Sequence, residues 1–156
     1  MRTAEELRYL ILAIQREGNR ILAGELRPLG VTPSQAEVLR VMAGHQPLTL
    51  LGLGELLVCE TGGSPSRLVD RLVTAGLVRR EPDPADRRHV TLSLTTRGTR
   101  VAKKITAAEE RLYEAIDAYT NGQPLPQALR LLRALAGAFP AGQALARRQH
   151  LEAMQP

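Results

Sequence analysis

Residues 64–98 read SPSRLVDRLVTAGLVRREPDPADRRHVTLSLTTRG, and this stretch decides the fold. Leu68, Val69, Leu72 and Val73 recur at helical spacing and Gly76 follows as a stop, so a helix is expected from about Thr61 or Ser64 to Ala75. Leu77, Val78, Val90, Leu92 and Leu94 alternate with polar residues at period two, as half-buried strands do. Between them, Glu81-Pro82-Asp83-Pro84-Ala85-Asp86-Arg87-Arg88 is too rich in turn formers to be anything but a hairpin tip. Thr95 then caps a long helix running to about Tyr119. A helix followed by an Arg-tipped hairpin suits duplex DNA. The helix can read base edges in the major groove while the tip reaches the neighbouring minor groove.

The side chains sharpen this expectation. With a start near Thr61, Ser64, Arg67 and Arg71 fall on one face opposite Leu68 and Leu72, and Ser66 adds a second short hydroxyl. Arg reaches guanine O6 and N7 bidentately, and hydroxyls allow close approach to bases or phosphates. The blander alternative is a solvated face on which Asp70 pairs with Arg67 or Arg71. The hairpin tilts the balance. Arg87 and Arg88 stand at its tip, where a guanidinium can enter the strongly negative minor groove, and Asp83 and Asp86 can hold it by charge-assisted bonds. Residues 61–100 hold eight Arg against four acidic residues, so most of the chain's net +5 lies there.

Outward from this unit the chain is helical. Leu7, Leu10, Ile11, Ile14, Ile21 and Leu22 form an amphipathic stripe that ends near Arg27-Pro28-Leu29-Gly30. Thr32-Pro33-Ser34-Gln35 is a strong helix start, with Thr32 as cap, Pro33 in the first turn and Gln35 completing a capping box. A short apolar helix is expected from Leu48 to Val58, capped by Thr49 and weakened by Gly52 and Gly54. Beyond the break at Asn121-Gly122, Leu125, Ala128, Leu132, Leu135, Ala136 and Phe139 share one face, and Pro140 marks a pause before an Arg-bearing tail. The count is about six helices with a small two- or three-stranded sheet.

Composition narrows the function. At 156 residues the chain has room for one domain with a real core. A single cysteine forbids an intramolecular disulfide and fits a reducing cytoplasm. No apolar run approaches the roughly 20 residues needed to span a bilayer, and the charged N-terminus does not resemble a signal peptide. Gly62-Gly63-Ser64-Pro65-Ser66 lacks the second glycine of a nucleophile elbow and follows a helix, and no Walker loop, HExxH or CxxC is present, so no enzyme and no cofactor are expected. His45, His89 and His150 are scattered, without metal-ligand spacing, and are expected at the surface. Tyr9, Tyr113, Tyr119 and Phe139 all lie outside the basic segment, which disfavours single-stranded nucleic acid. The rival to duplex binding is a helical dimeric adaptor whose hairpin-bearing units bind another protein.

The runs LGVTPSQAEVLRVM and LVDRLVTAGLVRREPDPADRRHVTLSLTTRG resemble the MarR family of winged helix-turn-helix transcriptional regulators. The DPADRR wing followed by LxLTxxG is the most specific part of the likeness. Pro65 departs from the usual β-branched residue, which sets the start of regular helix near Gly63 or Ser64. The resemblance implies a mainly α fold with a small antiparallel β wing. Residues 31–98 would be the DNA-binding unit, 99–119 a connecting helix, and 1–30 with 120–156 the helices of a dimerisation domain. It implies a homodimer on a pseudo-palindromic operator, interlocked through Leu7, Leu10, Ile11, Ile14, Leu132, Leu135 and Phe139. Ser64, Ser66 and Arg67 match the major-groove positions, Arg88 the wing-tip arginine supported by Asp86, and Thr32, Ser34 and Gln35 a helix start that touches phosphate. It further implies a small effector, often phenolic or anionic, between the dimer helices and the winged unit; nothing in this sequence identifies one. Oxidant-sensing cysteines in the family sit on the first helix. Cys59 instead lies beside the recognition turn, where burial near Val58 and the neighbouring carboxylate of Glu60 favour an inert structural thiol.

Overall fold

The structure, a computed structural model, describes residues 1–59, 64–83 and 89–154. Helix α1 runs Thr3–Leu26 and passes through a 3-10 turn, Arg27–Leu29, into Gly30. Helix α2 is Pro33–His45, strand β1 Leu48–Thr49 and helix α3 Leu50–Gly54. Helix α4 is Pro65–Thr74, followed by strands β2 (Val78–Pro82) and β3 (Val90–Leu94). Helices α5 (Thr96–Thr120), α6 (Leu125–Ala136) and α7 (Pro140–Ala153) complete the chain. The sheet order is β1-β3-β2, antiparallel throughout, with Val78 opposite Leu94 and Leu48 opposite Leu92.

The local signals act as their chemistry dictates. Thr32 accepts from the Gln35 N–H, and the Thr32 N–H donates to Gln35 Oε1 at 2.9 Å, closing the capping box of α2. Thr95 caps α5 by accepting from the Gly98 N–H at 2.9 Å. Its own hydroxyl donates to the Gly76 carbonyl at 2.7 Å, so one side chain ties the end of α4's turn to the start of α5. Gly76 takes φ +68°, a left-handed conformation that favours glycine. A Cβ at Gly98 would collide with the Leu77 carbonyl, so the approach of α5 to the hairpin requires glycine there.

Three expectations need correction. The predicted helix from Leu48 to Val58 covers only Leu50–Gly54, because Leu48 and Thr49 pair with β3 instead; Thr49 caps it as expected, accepting from the Gly52 N–H at 3.0 Å. Val90 stands half exposed, and Thr91 takes the buried place on that strand. The tail after Pro140 is a helix in its own right, so the described residues contain seven α-helices rather than six.

One core unites α2, α3, α4, the sheet and the first half of α5. Leu39, Met42, Leu53, Leu72, Leu92 and Ile105 are its largest fully buried members in those elements, and Leu26 joins them from α1. Each such side chain contributes about 1.5–3 kcal/mol relative to exposure. The long helix is also pinned by polar contacts. Arg40 on α2 donates to Glu109 at 3.0 Å and to the Thr106 hydroxyl at 2.7 Å, and Arg111 grips Glu25 on α1. Burial still outweighs the Arg40 charge at Glu109, leaving its carboxyl above the usual range. No helix among the described residues is long and apolar enough to cross a membrane.

Candidate nucleic-acid interface

Helix α4 begins abruptly. Pro65 occupies its first position, where a missing N–H costs nothing, and Ser64 is the N-cap residue, with extended backbone and no hydrogen bond from its side chain to the helix. The regular helix therefore starts where Pro65 required. Its inner stripe, Leu68, Val69 and Leu72, is buried, while Arg67, Asp70 and Arg71 face out. Ser64 is exposed and Ser66 and Pro65 half-buried at the same end.

Asp70 does not pair with Arg67 or Arg71. It accepts from Arg80 on β2 at 2.6 Å, which ties the helix to the hairpin. At 41% and 53% side-chain exposure this pair contributes less than about 1 kcal/mol. Burial of three apolar side chains is several times larger, so the stripe holds α4 and the ion pair only trims its angle. No ion pair or side-chain hydrogen bond engages Arg67 or Arg71 among the described residues. Two guanidiniums thus stand exposed on one helix face without an ion pair among the described residues.

The hairpin is braced from within. Arg79 donates to the Ser93 hydroxyl at 3.0 Å and pairs with Glu81 at 3.2 Å, while Ser93 donates to Glu81 at 3.1 Å. The Asp83 N–H donates to the His89 carbonyl at 2.9 Å, the last described rung below the tip. Arg87, Arg88 and Asp86, expected at that tip, lie outside the described residues, as does Glu60. Arg97 donates to the Ala75 carbonyl at 2.8 Å and so satisfies the C-terminal end of α4.

The start of α2 flanks this surface. Thr32 is exposed and Gln35 half-buried, their oxygens engaged with each other in the capping box. Ser34 is half-buried and hydrogen-bonds Cys59. Cys59 is half-buried rather than enclosed, and Val58 is partly exposed. Its thiol is pushed up to about 12, first by burial and then by hydrogen bonding and charge from Glu37; the Ser34 hydroxyl acts in the opposite direction. Burial, one of the two expected causes, is the larger one; the carboxylate that adds to it here is Glu37, 22 positions earlier in sequence, while Glu60 lies outside the described residues.

Sequence reasoning overlooked Glu37. Its carboxylate accepts the backbone N–H of Val58 and of Cys59, each at 2.8 Å, and meets Arg148 of α7 at 3.2 Å. Arg147 donates to the Glu55 carbonyl at 3.0 Å, and Ala144 is buried between these contacts. No local pattern announces a carboxylate whose partners lie 21 and 111 positions away. The helix α7, expected to serve dimerisation, thus also rests on the unit that carries α4.

The apolar stripes of the outer helices face outward. Leu10 is 54% exposed, Ile14 73%, Leu132 39%, Leu135 41% and Phe139 56%, with Ile11 partly exposed and Leu7 half-buried. Among the described residues no group of three or more His, Cys, Asp or Glu could hold a metal ion.

Comparison with known proteins supplies the family. A MarR family profile matches residues 29–89, from the 3-10 turn to the descending side of the hairpin. The multiple antibiotic resistance protein MarR of Escherichia coli (strain K12) is 34% identical over 95 residues, 61% of this chain and 65% of the relative's length. An uncharacterised HTH-type transcriptional regulator, YsmB of Bacillus subtilis (strain 168), is 32% identical over 126 residues, 75% of this chain and 77% of the relative. The crystal structure of a mutant MarR from E. coli complexed with operator DNA superposes with a TM-score of 0.69 at 27% identity, covering 86% of this chain and 94% of that one. The fold agrees with that of the MarR–operator structure, the profile covers the winged unit and the B. subtilis regulator matches over three quarters of its length: the chain belongs to the MarR family.

Proposed function

We propose that this chain is a homodimeric, sequence-specific regulator of transcription that binds duplex DNA, with no catalytic activity of its own. The observation that carries the reading is the outer face of α4, where Arg67 and Arg71 are exposed, without an ion pair among the described residues, on a helix clamped by Leu68, Val69 and Leu72. In the major groove Arg67 and Arg71 read base edges, with Ser64 and Ser66 approaching bases or phosphates at the helix start. Arg88, beside Arg87, enters the minor groove with Asp83 and Asp86 orienting it. Thr32, Ser34 and Gln35 bring the start of α2 to the phosphate backbone.

Two copies pair through residues 1–30 and 120–156, with Leu7, Leu10, Ile11 and Ile14 meeting Leu132, Leu135 and Phe139. Residues 99–119 connect this domain to the winged unit at 31–98. The pairing sets the two α4 helices about 34 Å apart, one turn of B-DNA, which calls for a pseudo-palindromic operator. Binding at a promoter excludes polymerase, so the outcome is repression in the cytoplasm. A small effector acts only by favouring one spacing of the two units over another. A protein-binding adaptor has less support, because exposed guanidiniums on a groove-sized helix fit phosphate and guanine better than an apolar partner.

Selection of bound sites from a random duplex library tests the reading. Enrichment of a dyad-symmetric consensus with half-sites about one helical turn apart is the expected result. An unenriched pool, or a consensus without dyad symmetry, would sink it.

A further inference from the structure

We propose that Glu37 is a positioning residue for DNA reading, which fixes the point from which the recognition helix departs. The case rests on the DNA-binding function proposed above and on geometry at the back of the interface, away from the reading face. A carboxylate with 16% of its side chain exposed receives two consecutive backbone N–H groups, those of Val58 and Cys59, at 2.8 Å each. These groups lie just past α3, six and five residues before the N-cap residue of α4. Two donors converging on one carboxylate fix both the place and the direction of the chain, because each oxygen takes one N–H.

The same carboxylate is loaded from the other side. Arg148, 27% exposed, reaches it at 3.2 Å from α7, and Arg147 one residue earlier donates to the Glu55 carbonyl at 3.0 Å. Helix α2 supplies the carboxylate, the segment before α4 supplies the donors, and the C-terminal helix supplies the counter-charge. A shift of α7 therefore reaches Val58 and Cys59, on the approach to α4, through one side chain. Helix α4 itself packs on α2, so Glu37 and the stripe Leu68, Val69 and Leu72 act on it from the same support.

The chemistry makes the consequence specific. Glutamine at 37 keeps size and shape, yet it can accept only through its carbonyl oxygen; its amide nitrogen is a donor that faces an N–H or a guanidinium. The buried stripe and capping boxes are untouched, so fold and dimer persist. Direct base readout depends on placement of α4, whereas non-specific phosphate attraction depends mainly on charge.

The test compares wild type, Glu37→Gln, Arg148→Gln and Arg67→Ala on the selected operator and on an unrelated duplex, with amide hydrogen exchange followed in parallel. Glu37→Gln should weaken operator binding about tenfold or more, while binding to the unrelated duplex stays within about twofold of wild type. Arg148→Gln should produce a smaller loss in the same direction. Amide exchange at Val58 and Cys59 should quicken in Glu37→Gln and, to a lesser degree, in Arg148→Gln. Wild-type operator affinity together with unchanged exchange in both variants would overturn the assignment. An equal fall on both duplexes would also overturn it, since that is what loss of fold produces. Wild type that ignores every duplex would remove the DNA reading, and the exchange of Val58 and Cys59 would then decide the structural half alone.

Discussion

The winged unit and the outer helices treat their apolar side chains in opposite ways. Between residues 31 and 98, Leu51, Val58 and Val90 are the large hydrophobics left exposed among the described residues, and the rest of that set is packed into one core. In α1, the end of α5, α6 and α7 the position is reversed: Tyr9, Leu10, Leu12, Ile14, Tyr113, Ile116, Tyr119, Leu131 and Phe139 all stand in solvent. The first region is complete within one chain. The second leaves a series of large apolar side chains exposed on neighbouring helices, the kind of surface that marks an interface. Under the proposed function this is a division of labour: reading belongs to the single chain, and spacing to the pair.

The most damaging way to break that contrast is to charge the open face. Leu132→Glu combined with Ile14→Glu should dissociate the dimer while leaving the winged unit folded, seen as a halved mass in sedimentation equilibrium with unchanged far-UV circular dichroism. A variant that still sediments as a dimer would move the interface elsewhere. Within the closed region, Gly98→Ala should cost several kcal/mol of stability, because the added carbon meets a backbone carbonyl that cannot retreat. Chemical denaturation followed by far-UV circular dichroism reads it directly, and a loss below about 1 kcal/mol would mean that the turn yields.

Smaller effects sharpen the contrast. Arg67→Ala should weaken operator binding by about 1–3 kcal/mol and relax the base preference at one position of each half-site, without change in oligomeric state. A fluorescence-anisotropy titration checks it, and equal affinity for both proteins would take Arg67 out of the reading set. At Cys59 a thiol pushed from 9.0 to about 12 is almost wholly protonated at pH 8. Alkylation by iodoacetamide there should run at least about tenfold slower than for an unperturbed thiol, and unfolding should restore the ordinary rate. Rapid alkylation of the native protein would contradict the burial and the Glu37 contact together.

What could be read in the sequence was whatever local rules enforce. Thr32 and Gln35, Pro65, Gly76 and Thr95 each impose a start or stop within four residues, and each does so in the structure. The buried stripe of α4 follows from spacing alone. The misreadings have a common cause. Leu48 and Thr49 look helical until β3 arrives from more than 40 residues away to pair with them, and tertiary pairing overrides a weak, glycine-bearing helix. Leu92 and Leu94 keep the expected inward phase, but Val90 on the same phase is half exposed because it starts the strand and pairs with Pro82 alone, whereas Thr91 is flanked on both sides by Thr49 and Glu81 and is buried on the other face. The site divides in the same manner. Arg67 and Arg71 were legible as an exposed face, but the partner of Asp70 was not, since Arg80 belongs to the next element. Glu37 was silent, being an ordinary polar residue on an amphipathic helix until the fold brings two N–H groups to it.

The central claim is that two chains together grip the phosphates of one duplex, and its most direct measurement is a titration of the selected operator across salt, with the mass of the complex followed in the same cell. Two chains per duplex are expected, with affinity falling about 10³–10⁵-fold between 50 and 200 mM salt, as contact with roughly 6–10 phosphates requires. One chain per duplex, or an affinity indifferent to salt, would contradict it.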